Sequence, residues 1–267
     1  MATTTRDREP RWTALLQLLA ERGRLTVTEA SQELDVSPAT IRRDFVSLAG
    51  QQLATRTHGA IVATSVTYSL PARYRSTSGD SSRNALAERV AQLIPSGTVV
   101  GLNGGRTTTA VARALASEPE ESTDPARPPR LSVVTNALNI ASELALRPSI
   151  RCLVLGGVAR PGSYEMTGDL PVSALRRLWL DTLVLGVDGL SAAGGATCGH
   201  DEEAAVNAAM AARAARIIVV GTGDKVGRTR MAQICPASAV TTLITDAEAP
   251  AEELDALRDI DVDVQVL

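Results

Sequence analysis

Apolar residues recur through the first fifty positions at helical spacing. Trp12, Leu15, Leu16 and Leu19 fall at i, i+3, i+4 and i+7, the stripe of an amphipathic helix that stops at Gly23. Thr26-Val27-Thr28-Glu29 sets a hydroxyl three residues before a carboxylate, a capping box, so a second helix is predicted from Val27 to Leu34. Asp35-Val36 makes a short turn. Ser37 can then accept from the unpaired N–H groups of a third helix, and Pro38, next in line, has the right φ and needs no donor. Ile41, Phe45 and Leu48 form the buried stripe of that helix, which leaves Thr40, Arg42 and Arg43 off the stripe near its front. Beyond it, the run from Leu53 to Ile61 reads as two short strands about a tight turn. Two short helices joined by a turn, the second presenting basic and hydroxyl groups, form a helix-turn-helix, and the strand pair is its wing.

After Ser82 the period changes, and helical and extended patterns alternate. Helices are predicted over 84–94, 107–116 and 138–146. Strands are predicted over 98–100, 131–135, 150–155, 182–186, 217–220, 241–245 and 262–267. Alternation of this kind builds an α/β domain with a largely parallel sheet, whose ligands gather at the carboxyl ends of the strands. The chain therefore divides into a small α+β winged helix-turn-helix domain over 8–62, with the helix-turn-helix at 25–44, a linker over 63–82, and an α/β domain over 83–267. The linker is rich in Ser and Thr and lacks sustained periodicity. A second irregular stretch, 117–130, holds four prolines and four acids and reads as a mobile surface loop.

Composition changes the picture in two places. The net charge of −3 argues against nucleic acid, but its distribution does not: from Ser37 to Arg75 five arginines (42, 43, 56, 73, 75) face one acid, Asp44. With two tryptophans, three tyrosines and one phenylalanine, the core must be built from Ala, Val and Leu. Cys152, Cys198 and Cys235 are odd in number and lack metal-ligand spacing, so buried thiols in a reducing compartment are expected, with no metal and no cofactor. No apolar run approaches 18 residues and the N-terminus has no signal-peptide pattern, which predicts a soluble cytoplasmic protein with no membrane contact.

The polar and glycine-rich residues of the larger domain fall at predicted strand ends: 103–109, 135–136, 156–157, 188–189 and 221–228. The first of these clusters, Asn103-Gly104-Gly105-Arg106-Thr107-Thr108-Thr109, joins a strand to a helix through a glycine pair and a hydroxyl run. That is a phosphate cradle of backbone N–H groups, helix dipole and Thr hydroxyls, with Arg106 adding a counter-charge. No lysine follows the glycines, so it is not a P-loop. The plainer alternative is a glycine turn with Thr107 as N-cap.

The run from Leu25 to Asp44, LTVTEASQELDVSPATIRRD, followed by the arginine and HGA of the wing, resembles the DeoR family of bacterial transcription regulators. The larger domain resembles the family's sensor domain through GGRTTT, VVTNALNIA, LGG, LVLGVDG and the lone lysine, Lys225, followed by Gly227 and Arg228. The resemblance implies that Ser37, Thr40, Arg42 and Arg43 read base edges or phosphates and that Arg56 and His58 hold the DNA backbone. It implies a sensor fold similar to ribose-5-phosphate isomerase, and an effector, a phosphorylated sugar, held by Asn103, Gly104, Gly105, Arg106, Thr107, Thr108, Asn136, Asp188, Gly189 and Lys225. It further implies a repressor of a carbohydrate-utilisation operon, binding double-stranded operator DNA as a homo-oligomer, at least a dimer. Asn103 and Thr222 stand where the family commonly has Asp, and Arg106 where it commonly has Thr.

An isomerase-like enzyme carrying an N-terminal DNA-binding appendage is the alternative. Isomerases of the similar fold carry two aspartates after a strand, a lysine in the following loop, then a glutamate base. Here Asp188 fills the second aspartate position, Leu185 fills the first, and the loop 190–200 holds no lysine; Glu202 and Glu203 open the next helix, where carboxylates also suit the dipole. A sensor without catalysis is the expectation.

Overall fold

The computed structural model describes residues 24–50, 54–57, 59–63, 81–117 and 128–267, together with positions 11, 12, 14, 15, 18, 19 and 22. Leu16, Leu53, His58, Arg73, Arg75, most of the expected linker and most of the expected 117–130 loop lie outside them. The chain separates into two compact units, Met1–Leu70 and Pro71–Leu267.

In the first unit the described positions between 11 and 22 are helical. They lead through β1 (Arg24–Thr26) to α1 (Val27–Leu34) and α2 (Pro38–Gly50), then to β2 (Ala54–Thr57) and β3 (Ala60–Ala63). The capping box is present in full: Thr26 accepts from the Glu29 N–H, and the Glu29 carboxylate accepts from the Thr26 N–H at 2.8 Å. Asp35 ends α1 in the left-handed region with φ of 50°. Leu15, Leu19, Ile41, Phe45 and Leu48 meet in one core. The wing hairpin pairs Thr57 with Ala60, and Gly59 takes the positive φ its turn requires. One strand is additional to the expected wing: β1 pairs antiparallel with β3, because Leu25 buries completely and draws its neighbours into the sheet.

The second unit carries α3 (Ser81–Gln92), β4 (Val99–Leu102), α4 (Arg106–Ser117), β5 (Leu131–Thr135), α5 (Leu138–Leu144), β6 (Ile150–Val154), β7 (Val158–Ala159), β8 (Met166–Thr167) and α6 (Asp169–Leu175). It continues with β9 (Thr182–Gly186), β10 (Gly189–Ser191), β11 (Gly195–Cys198), α7 (Asp201–Ala211), β12 (Ile217–Val220), β13 (Ala232–Cys235), β14 (Thr242–Thr245), α8 (Ala251–Arg258) and β15 (Asp263–Val266). Seven strands form one all-parallel sheet in the order β15-β14-β12-β9-β4-β5-β6. Alternate residues of the central strands feed two cores: Leu183, Leu185 and Val219 enter one, and Val184, Ile218 and Val220 the other. Helices α3, α4 and α5 cover the second core through Leu86, Val111 and Ile140, while α6, α7 and α8 cover the first through Leu175, Met210 and Leu257. Burial on both faces is why these strands read as unbroken apolar runs.

Strand order fixes where a ligand can sit. From β4 the chain moves outward through β5 to β6, then returns to β9 on the other side of β4 and continues outward to β15. The crevice between the carboxyl ends of β4 and β9 is thus a topological switch point. A three-stranded antiparallel sheet, β10-β11-β13, and the β7–β8 hairpin complete its surroundings.

Candidate functional site

On the first unit, Ser37 opens α2. Its hydroxyl accepts from the Thr40 N–H at 3.3 Å and lies 2.9 Å from the Thr40 hydroxyl. Arg42 and Arg43 are exposed on the same helix. Arg56 lies in β2 with its side chain outside the described residues, as is all of His58. Asp44, the single acid of the basic stretch, is buried. It takes Nε of Arg11 at 2.6 Å, a second guanidinium nitrogen at 3.1 Å and the Trp12 indole N–H at 2.9 Å. Its charge is therefore matched by the first helix, and the charged side chains that α2 exposes are Arg42 and Arg43.

On the second unit, a cleft of about 500 Å³ opens at the switch point. Asn103, Gly104, Gly105, Arg106, Thr107, Thr108, Asp188 and Lys225 all line it. Asn136 and Gly189 do not. Asn136 is fully buried and donates to Glu165 at 3.0 Å, and Gly189 is packed inside β10, where a Cβ would meet the Arg228 carbonyl oxygen at 2.3 Å. Gly156 and Gly157 also lie outside the lining.

Local geometry explains the cradle. Asn103 pairs both ways with the Gly186 peptide, donating to its carbonyl at 3.0 Å and accepting its N–H at 2.8 Å, so it ties β4 to β9 across the switch point. An aspartate could only accept there. Gly104 lies under Glu165, whose Cγ is 2.4 Å from where a Cβ would stand, and Gly105 has φ of 129°. Helix α4 begins at Arg106, so Thr107 is inside the first turn and is not the N-cap. The hydroxyls of Thr108 and Thr109 turn back onto the Gly105 carbonyl at 3.3 and 2.6 Å. That leaves Arg106, Thr107 and the first-turn N–H groups to face a ligand.

The cleft has a second, acidic side, of which the sequence pattern marked Asp188 and Glu203 but not Arg160, Glu165 or Asn207. The β7–β8 turn contributes Arg160 and Glu165, and α7 contributes Glu203 and Asn207. Glu165 accepts from Asn136 at 3.0 Å and from Asn207 at 3.4 Å, and Arg160 donates to Glu203 at 3.3 Å. Burial first, and the Glu203 charge second, push the Glu165 carboxyl up to about 7, against the pull of the two amide hydrogen bonds. Asp188 is exposed and accepts the Gly199 N–H at 3.0 Å. Lys225 reaches the cleft from a single-turn helix, Gly223–Lys225, and pairs with Asp224 at 3.1 Å. Arg83, from the first turn of α3, completes the cationic side. Burial pushes the thiols of Cys198 and Cys235 up to about 11, which disfavours the thiolate.

Residues 11–67 match the sequence model of the DeoR-like helix-turn-helix domain, and residues 80–247 match that of the DeoR C terminal sensor domain. The chain belongs to the DeoR family. The HTH-type transcriptional repressor CsqR of Escherichia coli K12 is 31% identical over 264 residues, 99% of this chain and 97% of that protein. The glycerol-3-phosphate regulon repressor of the same organism is 27% identical over 96% of this chain and 98% of its own length. Among solved structures, the full-length sorbitol operon regulator SorC from Klebsiella pneumoniae aligns with 14% identity and a TM-score of 0.38, covering 80% of this chain and 89% of that one.

This DeoR-family chain is a DNA-binding transcriptional regulator with a small-molecule sensor domain. It is not an enzyme, and the isomerase-like alternative is not favoured. Leu185, at the first aspartate position of the isomerase pattern, is buried completely in the sheet core and offers no chemistry to the cleft. No described helix is long and apolar enough to cross a membrane.

Proposed function

We propose that this regulator represses a carbohydrate-utilisation operon, and that a phosphorylated sugar seated in the cleft lowers its affinity for operator DNA. The observation that carries the reading is the two-sided cleft. Arg83, Arg106, Lys225 and the α4 N-terminus offer charge for a phosphoryl group, while Glu165, Asp188 and Asn207 offer acceptors for hydroxyls. A relative named for the glycerol-3-phosphate regulon supports the ligand class. The assigned parts are the winged helix-turn-helix over 8–62, a linker over 63–82 and the sensor over 83–267. Ser37, Thr40, Arg42 and Arg43 read the DNA, with Arg56 and His58 on its backbone. The active form is at least a dimer, since two such modules read half-sites one or more DNA turns, about 34–36 Å, apart. It acts in the cytoplasm.

The test pairs two measurements on the full-length protein. Thermal unfolding is screened with sugar phosphates and the corresponding free sugars, and gel shifts are run on DNA from upstream of the regulator's own gene. A phosphorylated sugar is expected to raise the sensor's melting temperature and release the DNA, with the free sugar inactive. A response to free sugars alone overturns the phosphorylated assignment.

A further inference from the structure

Arg83 stands in the first turn of α3, the helix that follows directly on the stretch joining the two units. It shares one wall of the cleft with Arg106, from the first turn of α4, and Lys225, from the turn after β12. Among the described residues, two acids, Asp224 and Asp246, act on Arg83, and neither lines the cleft. Asp224 pairs with Lys225 and accepts the Thr222 hydroxyl. Asp246 accepts from the Ser82 hydroxyl at 2.6 Å and from the Gly223 N–H at 2.8 Å. Both acids are thus engaged by their own partners, and the three cations line the cleft. Burial and the neighbouring Arg106 hold the Arg83 guanidinium below its ordinary range, with Asp224 and Asp246 offsetting part of that. In the same cleft Asn207, 1% exposed, keeps a buried amide oxygen without a hydrogen-bond partner, an acceptor suited to a ligand hydroxyl.

We propose that Arg83 is the residue through which an anionic effector acts on the DNA-binding unit: a phosphoryl group bridging Arg83 and Arg106 fixes the first turn of α3, and with it the end of the linker. The inference rests on the reading of the cleft as the effector site. An anion held by both guanidiniums ties the first turns of α3 and α4 to one ligand, and only the arrangement in which both side chains reach it gains those contacts. The ligand therefore interacts differently with the two arrangements, which is what a shift in equilibrium requires. Ser82, one residue before Arg83, is tied through Asp246 to Gly223 at the start of the lysine turn, so one carboxylate links the α3 start to the Lys225 turn.

Hydrogen exchange on the full-length protein, titrated with inorganic phosphate at constant ionic strength, tests this directly. Phosphate is expected to slow exchange over 81–86, 103–108 and 223–226 and to change it within 64–80. Arg83→Gln is expected to raise the phosphate concentration for half-maximal protection of 103–108 about tenfold and to abolish the change within 64–80. Arg83→Lys, which keeps the charge, is expected to recover protection of 103–108 to within a few-fold. Protection of 103–108 without any at 81–86, or an Arg83→Gln chain that responds like the natural one, overturns the role of Arg83 and leaves the cleft reading intact. Absence of protection at both places overturns the cleft reading as well.

Discussion

Glu165 sits 4% exposed beneath the cleft, held by two asparagine amides and faced by Glu203. Its carboxyl, pushed up to about 7 from 4.5, keeps in the folded chain a proton that the unfolded chain releases. Stability from this group is therefore full below about pH 4.5 and is lost as pH rises through about 7. The shift sets an upper bound of about 3 kcal/mol on that loss. Glu165→Gln keeps the shape and the acceptor for both amides but removes the charge. The variant is expected to unfold at a higher temperature than the natural chain at pH 8, with the gap closing toward pH 5. Calorimetry of the sensor transition at the two pH values measures it, and a gap of equal size at both would show that burial of the charge is not its cause.

At the scale of elements, α2 is oriented by one buried ion pair. Arg11 and Asp44 are 8% and 6% exposed and meet through two hydrogen bonds, with the Trp12 indole donating to the same carboxylate. Asp44→Ala leaves that guanidinium buried without its carboxylate, a destabilisation of about 3–5 kcal/mol. Calorimetry is expected to show the DNA-binding unit melting earlier and the sensor transition unmoved. The sequence motif carried Asp44 only as a charge to subtract, because its partner lies 33 residues away on another helix. The same distinction between local and distant signals runs through the fold. The ends of α1 were legible because Thr26 and Glu29 write the cap in neighbouring residues, and β9 and β12 because strands buried on both faces are continuously apolar. The β10-β11-β13 sheet was not, since Gly189–Ser191 and Gly195–Cys198 are too short and too small-residued to alternate. In the cleft, 103–108 announced itself as glycines followed by hydroxyls. Arg83, Arg160, Glu165 and Asn207 come singly from separate elements, and only the strand order brings them together.

For the whole molecule, a net charge of −3 and DNA binding are reconciled by segregation: Arg42 and Arg43 are exposed on α2, and the one acid beside them is matched internally by Arg11. Affinity must then depend on few, local cations, and its salt dependence counts them. Each DNA phosphate that the protein no longer neutralises lowers the slope of log affinity against log salt by about 0.9. In a dimer each substitution is present twice, so a phosphate-binding arginine changed to alanine is expected to lower the slope by about 2, and in a monomer by about 1. An arginine that reads a base instead costs about 1–3 kcal/mol per half-site and relaxes sequence preference. Arg43→Ala is expected to weaken operator binding at least tenfold by one of these routes, while its exposure leaves the melting of both units unchanged. Fluorescence anisotropy on operator and scrambled duplexes across a salt series separates the routes and reports the number of copies on the DNA. Unchanged affinity and slope would remove Arg43 from the DNA-reading surface.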